Sequence, residues 1–199
     1  MILDLKDVIQ FMEQQALDVP LIKDGFLIIS PGISDKEFEM LIKAFPTLAG
    51  SYLSFIRTYD VKQIAFGGYE ISVCDKKDEN FANEMIRWNN PEDIIRFPIC
   101  KKHDFVYFGS DGIDEFFVAG TQSDYKEGEI LSIDHDLYWE ENVPIKRVAP
   151  NYETFLIICA NKYQLQMTGG IDGYNIINAL RLRLDALNLP KEYYDYWVW

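Results

Sequence analysis

Residues 105–133 read FVYFGSDGIDEFFVAGTQSDYKEGEILSI, and three apolar runs within them indicate the architecture of the chain. The runs at 105–108, 115–119 and 129–133 are rich in aromatic and branched apolar residues, which predicts β-strands. Glycine, aspartate and serine separate the runs, as turns require. Because a parallel crossover needs a dozen or more residues, these closely spaced strands are predicted to pair antiparallel.

Helices are predicted on both sides of these strands in the sequence. Apolar spacing over residues 5–16 predicts a first helix, and Ser34 and Glu37 have the spacing of a capping box that starts a second. Pro46 ends that helix, because proline has no backbone N–H to donate, and a third helical stripe follows it. Two more helices are predicted after Pro150.

The order of helices, antiparallel strands and helices predicts an α+β fold. We expect a mostly antiparallel sheet flanked by helices that pack on one of its sides. The chain has 199 residues and no linker-like segment, so residues 1–199 are predicted to form a single domain.

Two segments stand apart from this core pattern. Residues 75–104 are polar and mixed in charge, and we interpret them as an insertion over the sheet with one helix around Met85. Residues 190–199 form an aromatic C-terminal tail. The tail either docks on the core or anchors a partner, since Tyr and Trp dominate interface hot spots.

The charge balance excludes several classes of function. The chain has 19 Lys and Arg against 32 Asp and Glu, a formal net charge of −13. Nucleic acids and anionic membranes are therefore disfavoured as partners. The sequence contains no apolar run of the ~20 residues needed to cross a bilayer and no signal-peptide pattern, so a cytoplasmic location is expected. Three widely spaced cysteines favour free thiols over a disulfide framework or a zinc site.

Much of the negative charge lies in one segment. Residues 111–142 contain ten acidic residues against Lys126 alone, which accounts for nine of the 13 net negative charges. A surface without a partner usually mixes both signs, so this bias favours a binding face on the sheet for a basic partner. The candidate binding residues are the acids and flanking aromatics Asp111, Asp114, Glu115, Tyr125, Glu127, Glu129, Asp134, Asp136, Tyr138 and Trp139.

Catalytic motifs are not found. The sequence lacks a phosphate-binding glycine loop and a nucleophile elbow. The run Asp134-His135-Asp136 could hold a metal or form an acid-oriented base. Side chains alternate along a strand, so a continuing strand would turn His135 away from both aspartates, and a solvated strand end is expected. No catalytic residue, metal or cofactor is predicted, and the protein is expected not to be an enzyme.

Three further segments have a recognisable pattern: Phe45-Pro46 with the run 52–59, the aromatic and acidic hairpin 116–134, and the stretch 148–156. These segments resemble the SUKH superfamily, in which a Leu-Pro precedes an aromatic and leucine-rich turn, the central hairpin is aromatic and acidic, and the closing helix carries Phe and Leu. The similarity spans roughly residues 34–160, with 75–104 as an expansion.

The resemblance implies an α+β fold and a role in binding proteins. Bacterial members are largely immunity proteins that neutralise polymorphic toxins, frequently nucleases or deaminases. The leading hypothesis is therefore a non-enzymatic immunity protein whose acidic sheet face binds a basic, nuclease-like toxin domain. Such a toxin presents Lys and Arg to phosphates, and matching acids would cover that surface.

Two other hypotheses stay open. Fungal relatives of the Smi/Knr type act in cell-wall synthesis signalling, which suggests a regulatory scaffold that binds several partners through polar loops, including residues 75–104. A third hypothesis is a hydrolase that uses carboxylates such as Asp134 and Asp136.

Overall fold

A single antiparallel sheet organises the computed structural model, in which each strand pairs with the next along the chain. The structure describes residues 1–18, 28, 30–66, 69–74, 79–140, 142–168 and 173–198. Six strands occur within these ranges: β1 (Ala65–Phe66), β2 (Tyr69–Glu70), β3 (Phe105–Ser110), β4 (Asp114–Ala119), β5 (Ile130–Asp134) and β6 (Lys146–Ala149). The three strands predicted from the sequence are β3, β4 and β5, which confirms the antiparallel arrangement.

Helices precede, interrupt and follow the strands, which confirms the α+β class. Within the described ranges they are α1 (Leu5–Asp18), α2 (Asp35–Ala44), α3 (Gly50–Thr58), α4 (Phe81–Trp88), α5 (Arg96–His103), α6 (Tyr152–Met167), α7 (Gly173–Ala186) and α8 (Tyr194–Trp197). Short 3₁₀ helices cover His135–Leu137 and Lys191–Tyr193. None of the helices in the described part of the chain has both the length and the apolar character needed to span a bilayer.

The start of α2 is the capping box predicted from the sequence. Ser34 Oγ accepts a hydrogen bond from the Glu37 amide at 3.3 Å, and Glu37 Oε2 accepts one from the Ser34 amide at 3.0 Å. Glu37 Oε1 also accepts from the amide of Phe81 at 2.9 Å. Glu37 therefore caps its own helix and holds the start of α4 against it.

One face of the sheet packs on α6 and α3. Phe108 and Phe116 point to this face, where the Phe155 ring lies 5.7 Å and 5.0 Å from theirs. Tyr52 of α3 and Tyr152 of α6 complete the aromatic cluster, with ring centroids 5.0 Å apart. All five rings are almost fully buried, so this cluster forms the main core.

The opposite face of the sheet is covered by α4 and α5. Tyr107 lies 6.1 Å from the Trp88 ring at the end of α4, and the Arg96 guanidinium lies 4.3 Å from the Tyr107 ring centroid. The expectation that helices pack on one side only was therefore wrong. Consecutive strand residues point to opposite faces, and both Phe116 and Phe117 are completely buried, so both faces need a cover.

The two segments set apart in the sequence both pack on the sheet. The described part of the expected insertion, residues 79–104, carries α4, which was predicted around Met85, and α5, which was not. In the tail, Trp197 Nε1 donates to the carbonyl oxygen of Val148 in β6 at 2.8 Å, and Trp197 is 3% exposed. Its docking on the core agrees with the first of the two interpretations, although Trp199 lies outside the described residues.

Candidate functional site

The candidate acids do not share one face of the sheet. Asp114 and Glu115 are neighbours on β4, so their side chains point to opposite faces. Asp111 and Asp134 lie at one end of β4, whereas Glu127 lies in the β4–β5 turn at its other end. The single acidic sheet face suggested by the sequence is not formed, because strand alternation and the hairpin geometry divide these residues.

Glu115 belongs to an internal network. Arg96 of α5 donates to both of its carboxylate oxygens, with Nε–Oε2 and Nη2–Oε1 distances of 2.7 Å and 2.5 Å. The Tyr138 hydroxyl donates to Oε2 at 2.5 Å. Burial and the adjacent carboxylate raise the pKa of Tyr138, which keeps the hydroxyl protonated. Glu115 and Tyr138 thus tie the segment after β5 to α5, and Glu115 is an internal residue, not the exposed partner contact that the sequence suggested.

Two further candidate acids turn inward. The Glu129 carboxylate is fully buried, with Oε1 3.2 Å from Arg147 Nη1 and Oε2 accepting from the Lys126 amide at 3.0 Å. Asp114 is mostly buried and lies 3.8 Å from Lys146 Nζ. Burial raises the pKa of Asp114, although Lys146 opposes this shift. Like Glu115, Glu129 is too buried to contact a partner directly. Asp114 is mostly buried, so little of its side chain is accessible to a partner.

The other candidate acids form turns at the surface. Asp111 Oδ1 accepts from two amides of its own turn, at 2.8 Å and 3.0 Å. Asp134 Oδ1 accepts from the Asp136 amide at 3.0 Å, and Glu127 Oε1 accepts from the Gly50 amide at 3.1 Å. Four surface acids form no ion pair with a lysine or arginine within the described chain: Asp111, Glu127, Asp134 and Asp136. Their negative charges are therefore available to a partner.

His135 is exposed directly after the end of β5, in agreement with the solvated strand end expected from the sequence. Strand β5 ends at Asp134 and the chain enters a 3₁₀ helix, which places His135 Nε2 3.2 Å from Asp136 Oδ1. Its Nδ1 lies 2.6 Å from the carbonyl oxygen of Ile113, and this contact, with Asp136, raises the pKa of His135. Across the described residues, no three His, Cys, Asp or Glu side chains are arranged to hold a metal ion.

A groove of about 440 Å³ lies between α5 and the segment that follows β5. Three of the candidate residues, Tyr125, Tyr138 and Trp139, come together in its lining. The opposite wall is apolar and includes Ile95 and Ile99. Sequence reasoning missed this wall, because α5 has no one-sided apolar stripe and its packing depends on distant residues.

Large apolar side chains are exposed where the groove opens. Ile94 is 82% exposed and Trp139 is 75% exposed, and both line the groove. Single exposed apolar residues are common on protein surfaces, but a contiguous set around a concave site is typical of an interaction surface.

Acidic side chains accompany both ends of the groove. Asp124, 88% exposed, lies 4.0 Å from Nδ1 of His103, which lines the groove near the end of α5. Glu140 lines the groove beside Trp139. Burial and the neighbouring Lys102 lower the pKa of His103, so the imidazole is neutral at pH 7. The charged lining groups are thus Glu140 and Lys102, with Asp124 at the rim.

No family model, curated protein or solved structure matches this chain. The resemblance to the SUKH superfamily stays a prediction from the sequence.

Proposed function

We propose that this protein is a cytoplasmic, non-enzymatic immunity protein that binds and neutralises a basic, nuclease-like toxin domain. The observation that carries the proposal is the groove beside α5, where Ile94 and Trp139 are exposed between acidic residues at the two ends. Exposed apolar residues with a charged rim are the usual anatomy of a protein interface.

Charge favours a basic partner. The chain carries a net charge of −13, and surface acids such as Asp124, Glu127 and Glu140 form no ion pair with lysine or arginine in the described residues. A domain that acts on nucleic acid must present Lys and Arg, so its active surface complements this one. Complementary fields would also speed association, to on the order of 10⁸ M⁻¹s⁻¹ at low salt.

The chemistry of the side chains favours binding over catalysis. All three cysteines are buried and unbridged. Burial raises the pKa of Cys74 and Cys100 to about 12, so both are protonated and unreactive near neutral pH. The groove offers a neutral His103 and the carboxylate of Glu140, but the closest acid to His103 lies at 4.0 Å, beyond hydrogen-bonding distance.

Co-expression with basic nuclease and deaminase toxin domains tests the proposal. We expect that at least one domain co-purifies with this protein and loses its activity, and that bacterial growth recovers. The association rate constant should fall when the salt concentration rises from about 20 to 200 mM, because steering is screened. A broad panel of such domains that is neither bound nor inhibited would overturn the proposal.

A charge-reversal pair identifies the surface that provides the steering. The double variant Asp124→Lys with Glu140→Lys should slow association at low salt by about tenfold or more. A matched control on α1 and α2, Glu13→Lys with Glu39→Lys, changes net charge equally on exposed positions of other elements. Equal slowing by both variants would point to net charge alone and not to the groove.

A further inference from the structure

We infer that the groove beside α5 receives one apolar side chain of the partner, carried on a segment with basic residues on either side. This inference rests on the proposed function and adds the chemistry of the contacting segment. Two features support it: an apolar centre that is already shaped, and negative charge at both ends.

Trp139 is the groove side chain that would gain most from contact with a partner. In the described residues its indole forms no ring pair and no hydrogen bond, and it is 75% exposed. The other described tryptophans are engaged: Trp197 donates to Val148, and Trp88 packs beside Tyr107. Burial of apolar surface is favourable, so an apolar side chain placed between Trp139 and the isoleucine wall would stabilise a complex.

The groove is held open before a partner arrives. Tyr138, next to Trp139, is bonded to Glu115, and Glu115 is bonded through both oxygens to Arg96 at the start of α5. The two walls are therefore tied together through a mostly buried ion pair. A site that is already ordered loses less conformational entropy when it binds.

Charge determines what flanks the apolar side chain. Asp124 lies beside His103 near one end of the groove, and Glu140 lies beside Trp139 near the other. Lys102 is the one cation in the described lining, and His103 is neutral at pH 7. Basic residues on both sides of an apolar one match this pattern.

A second copy of the chain fits the groove less well. Each copy carries a net charge of −13, and the groove has acids at both ends. Two such surfaces would repel each other unless a basic patch intervened. A basic protein segment is therefore the occupant to which the charges point.

Short peptides test this chemistry without knowledge of the partner. The probes are the blocked tripeptides Lys-Phe-Lys, Glu-Phe-Glu and Lys-Gly-Lys, added at millimolar concentration to the full chain. The indole N–H resonance of Trp139, identified with Trp139→Phe, is followed by NMR. We expect Lys-Phe-Lys to shift it at concentrations at least fivefold lower than the other two, and Trp88→Phe to leave the response unchanged.

Each other outcome overturns a defined part of the inference. An equal response to Glu-Phe-Glu removes the charge requirement, and an equal response to Lys-Gly-Lys removes the apolar anchor. The absence of any shift rejects the groove as the site. Ile94→Asp should abolish the Lys-Phe-Lys response, while the matched control Leu182→Asp, at an exposed position of α7, should retain it.

The inference and the proposed function can fail separately. If a toxin domain is neutralised equally well by Ile94→Asp, Trp139→Ala and the unaltered chain, the function stands and the groove assignment is wrong. If the peptides bind as expected but toxin domains are never neutralised, the groove assignment stands and the proposed function is wrong. Circular dichroism and thermal unfolding verify that each variant is folded.

Discussion

Glu37 accepts a hydrogen bond from the backbone amide of Phe81 at 2.9 Å, although 44 residues separate them in the sequence. The same carboxylate closes the capping box with Ser34. One side chain therefore satisfies amides at the starts of both α2 and α4, which would otherwise be left without a partner. Because α4 leads into α5, this contact helps to define where the wall of the groove lies.

Glu37→Gln should destabilise the fold at neutral pH. The amide side chain has one acceptor oxygen and no charge, so it cannot accept from both Ser34 and Phe81 as the two carboxylate oxygens do. We expect a loss of about 1–2 kcal/mol in the free energy of unfolding, measured by urea denaturation at pH 7. The matched control is Glu39→Gln on the exposed side of the same helix, which should change stability by less than about 0.5 kcal/mol.

The effect of Glu37→Gln should depend on pH. Burial alone would raise the pKa of Glu37, but the bonds from Ser34 and the Phe81 amide outweigh it and lower the pKa below its ordinary value of 4.5. The stability gained from the charged form is complete above 4.5 and is lost as the pH falls through the lower folded-state pKa. The stability difference between the two proteins should therefore narrow as the pH falls from about 5 to 3. A constant difference would contradict this account.

Arg96→Met should be the most destabilising single change around the groove. It leaves Glu115 mostly buried without its cation, and the loss of one partner from a buried ion pair costs about 3–5 kcal/mol. Chemical denaturation of the two proteins measures this difference. Loss of the Arg96 contact should also release Tyr138 and increase the mobility of Trp139, which time-resolved tryptophan fluorescence would detect.

An exposed ion pair provides the control for Arg96. Arg57 lies 2.7 Å from Asp35, with both side chains more than half exposed. Arg57→Met should cost no more than about 1 kcal/mol, because exposed pairs contribute little. Equal effects of the two substitutions would mean that the Glu115 network does not hold α5 on the sheet.

Substitution by alanine should change the free energy of unfolding in opposite directions at two glycines. A Cβ at Gly32 would overlap the Ile56 carbonyl oxygen, which already accepts a hydrogen bond from the Ile33 amide. Gly32→Ala should therefore cost at least about 2 kcal/mol. A Cβ at Gly173 would meet nothing within 4 Å, and Gly173→Ala at the start of α7 should stabilise by about 0.5–1 kcal/mol. Thermal unfolding of both variants measures whether each change stabilises or destabilises the protein. If Gly32→Ala did not change stability, the close approach of residue 32 to the Ile56 carbonyl would be disproved.

The elements that could be predicted from the sequence are those formed by interactions between residues close together in the chain. The capping box at Ser34 depends on residues three apart, and the β3–β5 meander on turn residues between short apolar runs. Helix α5 could not be predicted, because Pro98 falls within it and its packing depends on the pairing of Arg96 with Glu115, 19 residues away.

The candidate site could be predicted only in part from the sequence. Tyr125, Tyr138 and Trp139 do line one groove, with Tyr125 in the β4–β5 turn and the other two in the segment after β5. The roles of the acids could not be foreseen. The cations that neutralise Glu115 and Glu129 are Arg96 and Arg147, which lie outside the acidic segment, so local charge counting overestimates its exposed charge.

The same substitution at two tryptophans should separate the docked tail from the exposed groove. Trp197→Phe removes the indole N–H that donates to the buried Val148 carbonyl and reduces packing on Phe155, so we expect a loss of about 1–3 kcal/mol in the free energy of unfolding. Trp139→Phe removes no internal hydrogen bond in the described chain and should change stability by less than about 0.5 kcal/mol. Urea denaturation followed by far-ultraviolet circular dichroism measures both, without reliance on tryptophan fluorescence. A large effect at Trp139 would show that its indole supports the fold, and its exposure could then no longer be attributed to binding.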